Sequence, residues 1–171
     1  MAETGRYYHL YNRGNNRQKI FFEEDNYVFF LERFASYLLP HADVFAYTLM
    51  PNHFHFFIRV NDADRFQKGI KNLFISYSKA INSRYNRVGH LFQGRYKLKE
   101  VTDNAYFIRL VIYIHQNAFA ANLVEEIADY KYSSYRSYLS TKPSLLQRQE
   151  VLDWFGGLQG FVEDHKIIIK K

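Results

Sequence analysis

Two short stretches of the chain carry residue types that can do chemistry at a spacing that lets them act together. The first is His53-Phe54-His55, inside an otherwise apolar run, His53 to Val60. Side chains alternate across a strand, so His53 and His55 project from one face, about 7 Å apart along the backbone, and Phe54 and Phe56 from the other. Two imidazoles at that separation can converge on one ion, or can be ordinary strand histidines with satisfied nitrogens. Two histidines do not complete a metal site, so a third donor must come from elsewhere. The second stretch is Tyr113 to Asn117, four residues apart and so one helical turn from each other on one face. A phenol and an amide oxygen would then face one point. This spacing alone does not single out Tyr113, because the chain has 15 tyrosines and Tyr106 lies on the same helical stripe.

The chemistry open to these groups is restricted by composition. There is no cysteine, which excludes disulfides and thiolate sites and leaves any metal to His, carboxylate, amide or water. A free phenol, with a pKa of about 10, is a poor nucleophile at neutral pH and needs a cation or base beside it. Net charge is +6, and its distribution is uneven. Arg65 to Lys99 holds nine Lys/Arg (Arg65, Lys68, Lys71, Lys79, Arg84, Arg87, Arg95, Lys97, Lys99) and no acid, whereas the other residues carry 14 basic against 17 acidic. A one-sign segment interleaved with Phe74, Tyr77, Tyr85, Phe92 and Tyr96 fits a polyanion with bases to stack, and nucleic acid is the expected partner.

Periodicity and turn signals give the elements that must position these groups. Arg6 to Asn12 is a strand ending in the turn Arg13-Gly14-Asn15-Asn16. Glu24 to about Pro40 is an amphipathic helix with an acidic first turn. Asp43–Met50 and His53–Val60 are two strands joined at Pro51-Asn52 as an antiparallel hairpin. Asp62 to about Tyr85 is a long helix, Arg95 to Val101 a strand after a loop around Gly89, and a helix capped by Thr102 or Asp103 runs to about Ala120. Tyr130 to Leu139 is a Ser/Tyr-rich segment, and Gln149 to Lys171 has weak helical signals. The order β, α, β, β, α, β, α implies an α+β, ferredoxin-like antiparallel sheet with helices packed on it. At 171 residues this is a single domain, 1–171, with C-terminal additions from about residue 130. No apolar run approaches the roughly 20 residues needed to span a bilayer, so a cytoplasmic protein without a membrane partner is expected.

Five motifs, in order, resemble those of the REP-associated tyrosine transposases of the HUH single-tyrosine superfamily. They are Tyr8 to Asn16 (YHLYNRGNN), Leu49 to His55 (LMPNHFH), Gln93 to Lys97 (QGRYK), Tyr113 to Asn117 (YIHQN) and Tyr132 to Tyr135 (YSSY). The resemblance implies a DNA strand cleavage and transfer enzyme. It makes His53 and His55 ligands of a divalent ion, Mg²⁺ or Mn²⁺, Tyr113 the nucleophile and Asn117 the third ligand. The family commonly has Asn-Pro where this chain has Asn117-Ala118, which leaves Gln116 as the substitute donor. It also implies a 5′-phosphotyrosine intermediate, and single-stranded DNA with a hairpin as partner; the cations expected to hold that strand are Arg13 and, from the basic segment, Arg84, Arg87, Arg95, Lys97 and Lys99. A homodimer is compatible with it. Two other classes remain open from the residues: a non-catalytic single-strand-binding domain with structural histidines, and a metallonuclease that activates water and needs no tyrosine.

Overall fold

The computed structural model describes residues 1–168. Four strands, β1 (Tyr7–Arg13), β2 (Ala42–Met50), β3 (His53–Val60) and β4 (Lys97–Glu100), form one sheet in the order β2-β3-β1-β4, with every neighbouring pair antiparallel. Helices α1 (Glu24–Leu38) and α2 (Ala63–Arg84) provide the two crossovers, which gives the ferredoxin-like βαββαβ arrangement expected from the sequence.

Period-2 alternation places the two faces of the sheet in different cores. Leu10, Phe54, Phe56 and Ile58 point toward Phe30, Phe34, Ile70 and Tyr77 of α1 and α2. Phe57 points the opposite way, toward Phe107, Leu110, Val111 and Ile114 of α3 (Asn104–Ala120). α1 and α2 approach so closely that a Cβ at Gly69 would lie 2.3 Å from the Tyr37 carbonyl oxygen, so glycine is required there. Each crossover helix begins with a side-chain cap. Glu23 and Asn26 form a reciprocal capping box on α1, and Asp62 accepts from the Arg65 amide on α2.

The histidine face is covered by α3 and by the C-terminal third of the chain. Asp103 rather than Thr102 caps α3, accepting from the Tyr106 amide at 2.8 Å. Beyond α3 lie three short helices, α4 (Tyr135–Tyr138), α5 (Arg148–Trp154) and α6 (Leu158–Asp164), which add Val151, Phe155 and Phe161 to the same core. Residues 132–134 run along the open edge of β2: the Leu49 amide donates to the Tyr132 carbonyl and the Ser134 amide to that of Tyr47. The Ser/Tyr-rich segment thereby protects a sheet edge. β2 also contains a bulge between Val44 and Ala46, and the carbonyl of Phe45 there accepts from the Tyr138 hydroxyl.

Element ends differ from the sequence reading by one or two residues, and two of these shifts bear on the site. β1 extends one residue further, to Arg13, which pairs with His53. β4 starts at Lys97, not Arg95, because Asn12 takes over on that edge, donating from its side chain to the Gly94 carbonyl at 3.1 Å and releasing Arg95 and Tyr96 from the ladder. Among the described residues no helix is long and apolar enough to cross a membrane.

Candidate active site

The second face of the sheet carries His53 and His55 on β3, with His9 and Tyr11 on the neighbouring β1. Tyr11 pairs directly with His55, and His9 is the diagonal neighbour. The histidine rings approach with centroids 5.1 Å apart at 82° for His53 and His55, and 5.0 Å apart, stacked, for His9 and His55. Strand alternation therefore holds for the pair as expected.

α3 lies across this face and delivers its own polar stripe. Tyr113 is half-buried, its ring edge-on to His55 at 5.5 Å and to His9 at 6.2 Å. One turn further, the Asn117 Oδ1 is 3.0 Å from the His53 Nε2. The other nitrogen of that ring, Nδ1, donates to the Asn52 Oδ1 at 2.7 Å. A neutral imidazole has one N–H for these two amide oxygens, and with the proton on Nδ1 the Nε2 and the Asn117 Oδ1 are two acceptors facing each other across 3.0 Å. Donor atoms at adjacent corners of an octahedral ion with bonds of about 2.1 Å are about 3 Å apart. The pair thus has the spacing of two ligands of a common cation. Thr48 Oγ1 and Asn117 Nδ2 are the buried side-chain atoms without a hydrogen-bond partner among the described residues, and Thr48 pairs with His55 across the sheet. His53, His55 and Asn117 together offer two imidazole nitrogens and one amide oxygen, a donor set that a divalent ion could accept with water in its remaining positions. No cluster of three His, Cys, Asp or Glu with metal-holding geometry occurs among the described residues, so an amide or water must complete such a site.

Gln116 makes two hydrogen bonds on a different side of α3 from Asn117. Its amide nitrogen donates to the His165 carbonyl at 3.2 Å and to the Ile167 carbonyl at 2.5 Å, on the side of α3 that meets the C-terminal segment. At Asn117-Ala118 the helix does not end: α3 continues to Ala120.

A cleft of about 730 Å³ opens over His53, His55 and Tyr113 and is lined by Arg13, Arg17, Arg95, Tyr96 and Lys97. The turn after β1 shapes one wall. A Cβ at Gly14 would come within 2.0 Å of the Gln18 carbonyl oxygen, and the turn continues through Asn16 and Arg17 at positive φ. On the other side of Tyr113 a second cleft of about 360 Å³ is lined by His9, Lys99, Tyr106 and Arg109. Of the six basic residues expected to meet DNA, Arg13, Arg95, Lys97 and Lys99 surround the phenol. Arg84 and Arg87 do not: Arg84 ion-pairs with Glu23 at 3.0 Å and Asp25 at 3.5 Å, and Arg87 donates to Asn82 and Gln18.

Three residues of this region were missed in the sequence. Arg17 and Arg109 lie outside the basic run, although Arg109 is four residues before Tyr113 and helical spacing could have flagged it. His9 has its Nε2 2.8 Å from the His55 Nδ1, and its pKa is lowered to about 4 by burial and by the nearby Lys99 ammonium. Its only sequence signal was its place in the YHLYNRGN run.

The chain is thus a ferredoxin-like α+β domain with a histidine pair on one sheet face and the half-buried Tyr113 of a covering helix beside that pair. A family described as "Transposase IS200 like" matches residues 3–117, and the chain belongs to that family of transposases. Among solved structures, one described as a REP-associated tyrosine transposase bound to a REP hairpin superposes with a TM-score of 0.68 at 15% identity, covering 84% of this chain and 89% of that one. A candidate transposase from Deinococcus radiodurans R1 superposes with a TM-score of 0.44 at 17% identity, covering 72% and 96%. No curated protein matches the sequence.

Proposed function

We propose that the chain cleaves and rejoins single-stranded DNA beside a hairpin, with Tyr113 as nucleophile and a divalent ion, Mg²⁺ or Mn²⁺, held by His53, His55 and Asn117. The observation that carries this reading is the placement of Tyr113 edge-on to His55 while Asn117, on the same helix face, meets His53. The ion, when bound, would polarise a phosphate and offset the charge that develops on it.

The residues of the chain do the rest. Arg13, Arg17, Arg95 and Lys97 hold the strand's phosphates in the larger cleft. Tyr96, stacked with Phe74 and with the Arg95 guanidinium 5.3 Å over its ring, lines the same cleft as the phosphate-binding cations. The Tyr113 oxygen forms a bond to phosphorus as the P–O3′ bond breaks. The phenol proton is lost and the departing 3′ oxygen gains one. The product is a 5′-phosphotyrosine and a free 3′-OH, and attack of a 3′-OH on the phosphotyrosine reverses the exchange without ATP. A phenol on a packed helix is held in place, which is why a residue half-buried against the histidines suits the role better than a mobile surface tyrosine. The hairpin named in the structurally similar transposase supports a hairpin-bearing substrate here.

The test is a denaturing gel of protein incubated with hairpin-bearing single-stranded DNA and Mn²⁺. A covalent adduct should form, map to Tyr113 by peptide mass, and vanish in Tyr113→Phe while DNA binding persists. An adduct lost instead in Tyr106→Phe would transfer the role to that phenol. Cleavage with no adduct at all would assign the chemistry to activated water.

A further inference from the structure

The contact between His9 and His55 joins two buried rings, each less than a tenth exposed, whose facing nitrogens are 2.8 Å apart. Two neutral imidazoles in that geometry share one proton, and which ring owns it determines what His55 can do. If His9 donates, the His55 Nδ1 accepts, and the proton of His55 must sit on Nε2, where it blocks that nitrogen. If His55 donates from Nδ1, its Nε2 carries no proton and can act as an acceptor or ligand. In the neighbouring His53 both nitrogens meet amide oxygens, Nδ1 that of Asn52 and Nε2 that of Asn117, and a proton kept on Nδ1 for Asn52 again leaves Nε2 for a cation.

We propose that His9 is a positioning residue that accepts the Nδ1 proton of His55, fixing its tautomer and ring orientation so that Nε2 is presented to a cation shared with His53 and Asn117. This rests on the metal reading of the proposed function and extends it to a residue on a different strand. Both ligand imidazoles are then held by the same device. A fixed acceptor on Nδ1 leaves Nε2 available, and the acceptor comes from the β2–β3 turn for His53 and from β1 for His55. Such outer partners of a ligand imidazole select its tautomer, and their loss typically lowers metal affinity about 10- to 100-fold. The fold makes the contact rigid, since His9 and His55 are on adjacent, fully paired strands.

Two measurements test this. In metal-free protein with histidine rings labelled with ¹⁵N, long-range ¹H–¹⁵N spectra should show a protonated Nδ1 and an unprotonated Nε2 on His55. The reverse pattern overturns the proposal and needs no variant to be made. For affinity, Mn²⁺ binding is followed by the paramagnetic resonance of the free ion. His9→Phe keeps a ring of similar size but no acceptor, and should weaken binding about 10- to 100-fold. His9→Gln restores a carbonyl oxygen and should recover most of the loss. Unchanged Mn²⁺ affinity in His9→Phe, or equal losses in both variants, overturns the proposal. If wild-type protein and His53→Ala bind Mn²⁺ equally, it is the metal reading that fails, and the ring spectrum alone then decides whether His9 sets the tautomer.

Discussion

At the scale of single residues, the neighbours Asn117 and Gln116 show how one helical step sends two amides to different surroundings. Successive residues on a helix point about 100° apart, so Asn117 meets His53 while Gln116 reaches the carbonyls of His165 and Ile167. Asn117→Ala should therefore lower Mn²⁺ affinity at least tenfold with little change in melting temperature. Gln116→Ala should leave affinity unchanged and cost about 1–2 kcal/mol, the loss of hydrogen bonds on the buried side of α3. Titration calorimetry beside urea unfolding of each variant checks both, and an affinity loss confined to Gln116→Ala would exchange their roles. The sequence could present both as donors because they are adjacent. It could not choose between them, since the choice depends on where the C-terminal segment packs.

At the scale of elements, the strands and helices that build the sheet were legible because alternation and helical periodicity are local signals. The tether that holds α3 was not. His115, between the two site residues of that helix, has its Nε2 2.6 Å from the Ser134 Oγ and its Nδ1 2.8 Å from the His165 Nε2. Ser134 accepts from the Tyr47 amide and can donate to His115, which can donate to His165, whose Nδ1 donates to the Phe161 carbonyl. With both imidazoles neutral every proton in this chain has a place. The partners lie 19 and 50 residues from His115, beyond any local pattern. The YSSY motif was visible, but not that its second serine pins the helix carrying Tyr113. The groups around the pair are the rings of Tyr135, Tyr138, Phe155 and Phe161. Burial lowers the pKa of His115 well below its usual value, the neighbouring His165 adding to it, and burial takes that of His165 to about 4. A lowered folded-state pKa means the unfolded chain binds protons first. The stabilisation is thus complete above about pH 6.5 and is lost as pH falls from there toward 4, with His165 alone contributing on the order of 3 kcal/mol. Urea midpoints should fall steeply between pH 7 and pH 5, and His165→Leu should flatten that dependence. An equally steep fall in His165→Leu would place the acid sensitivity elsewhere.

At the scale of the whole molecule, the question is where its positive charge is used. Counting along the sequence assigns the excess to residues 65–99 as a block, but folding divides that block. Arg84 at the end of α2 is paired with Glu23 and Asp25, and Arg87 beside it is bonded to Gln18 and Asn82, so both are engaged with the N-terminal end of α1 and the loop before it. Arg95 and Lys97 stand at the other end of the block, in the cleft with Tyr113, joined there by Arg13 and Arg17 from outside it. Each phosphate that a cation neutralises on a single strand adds about 0.7 to the slope of log affinity against log salt. Replacing Arg95 and Lys97 together by Gln should therefore reduce that slope by about 1.4. Replacing Arg84 and Arg87 by Gln should leave the slope unchanged and cost at most about 1 kcal/mol of stability per exposed ion pair broken. Fluorescence anisotropy with a hairpin-bearing strand, in Tyr113→Phe protein to prevent cleavage, measures both slopes over one salt series. If the Arg84 and Arg87 pair carried the larger drop, the strand would run along α2 rather than past the phenol, and the cleft lined by Arg95 and Lys97 would lose its role as the substrate track.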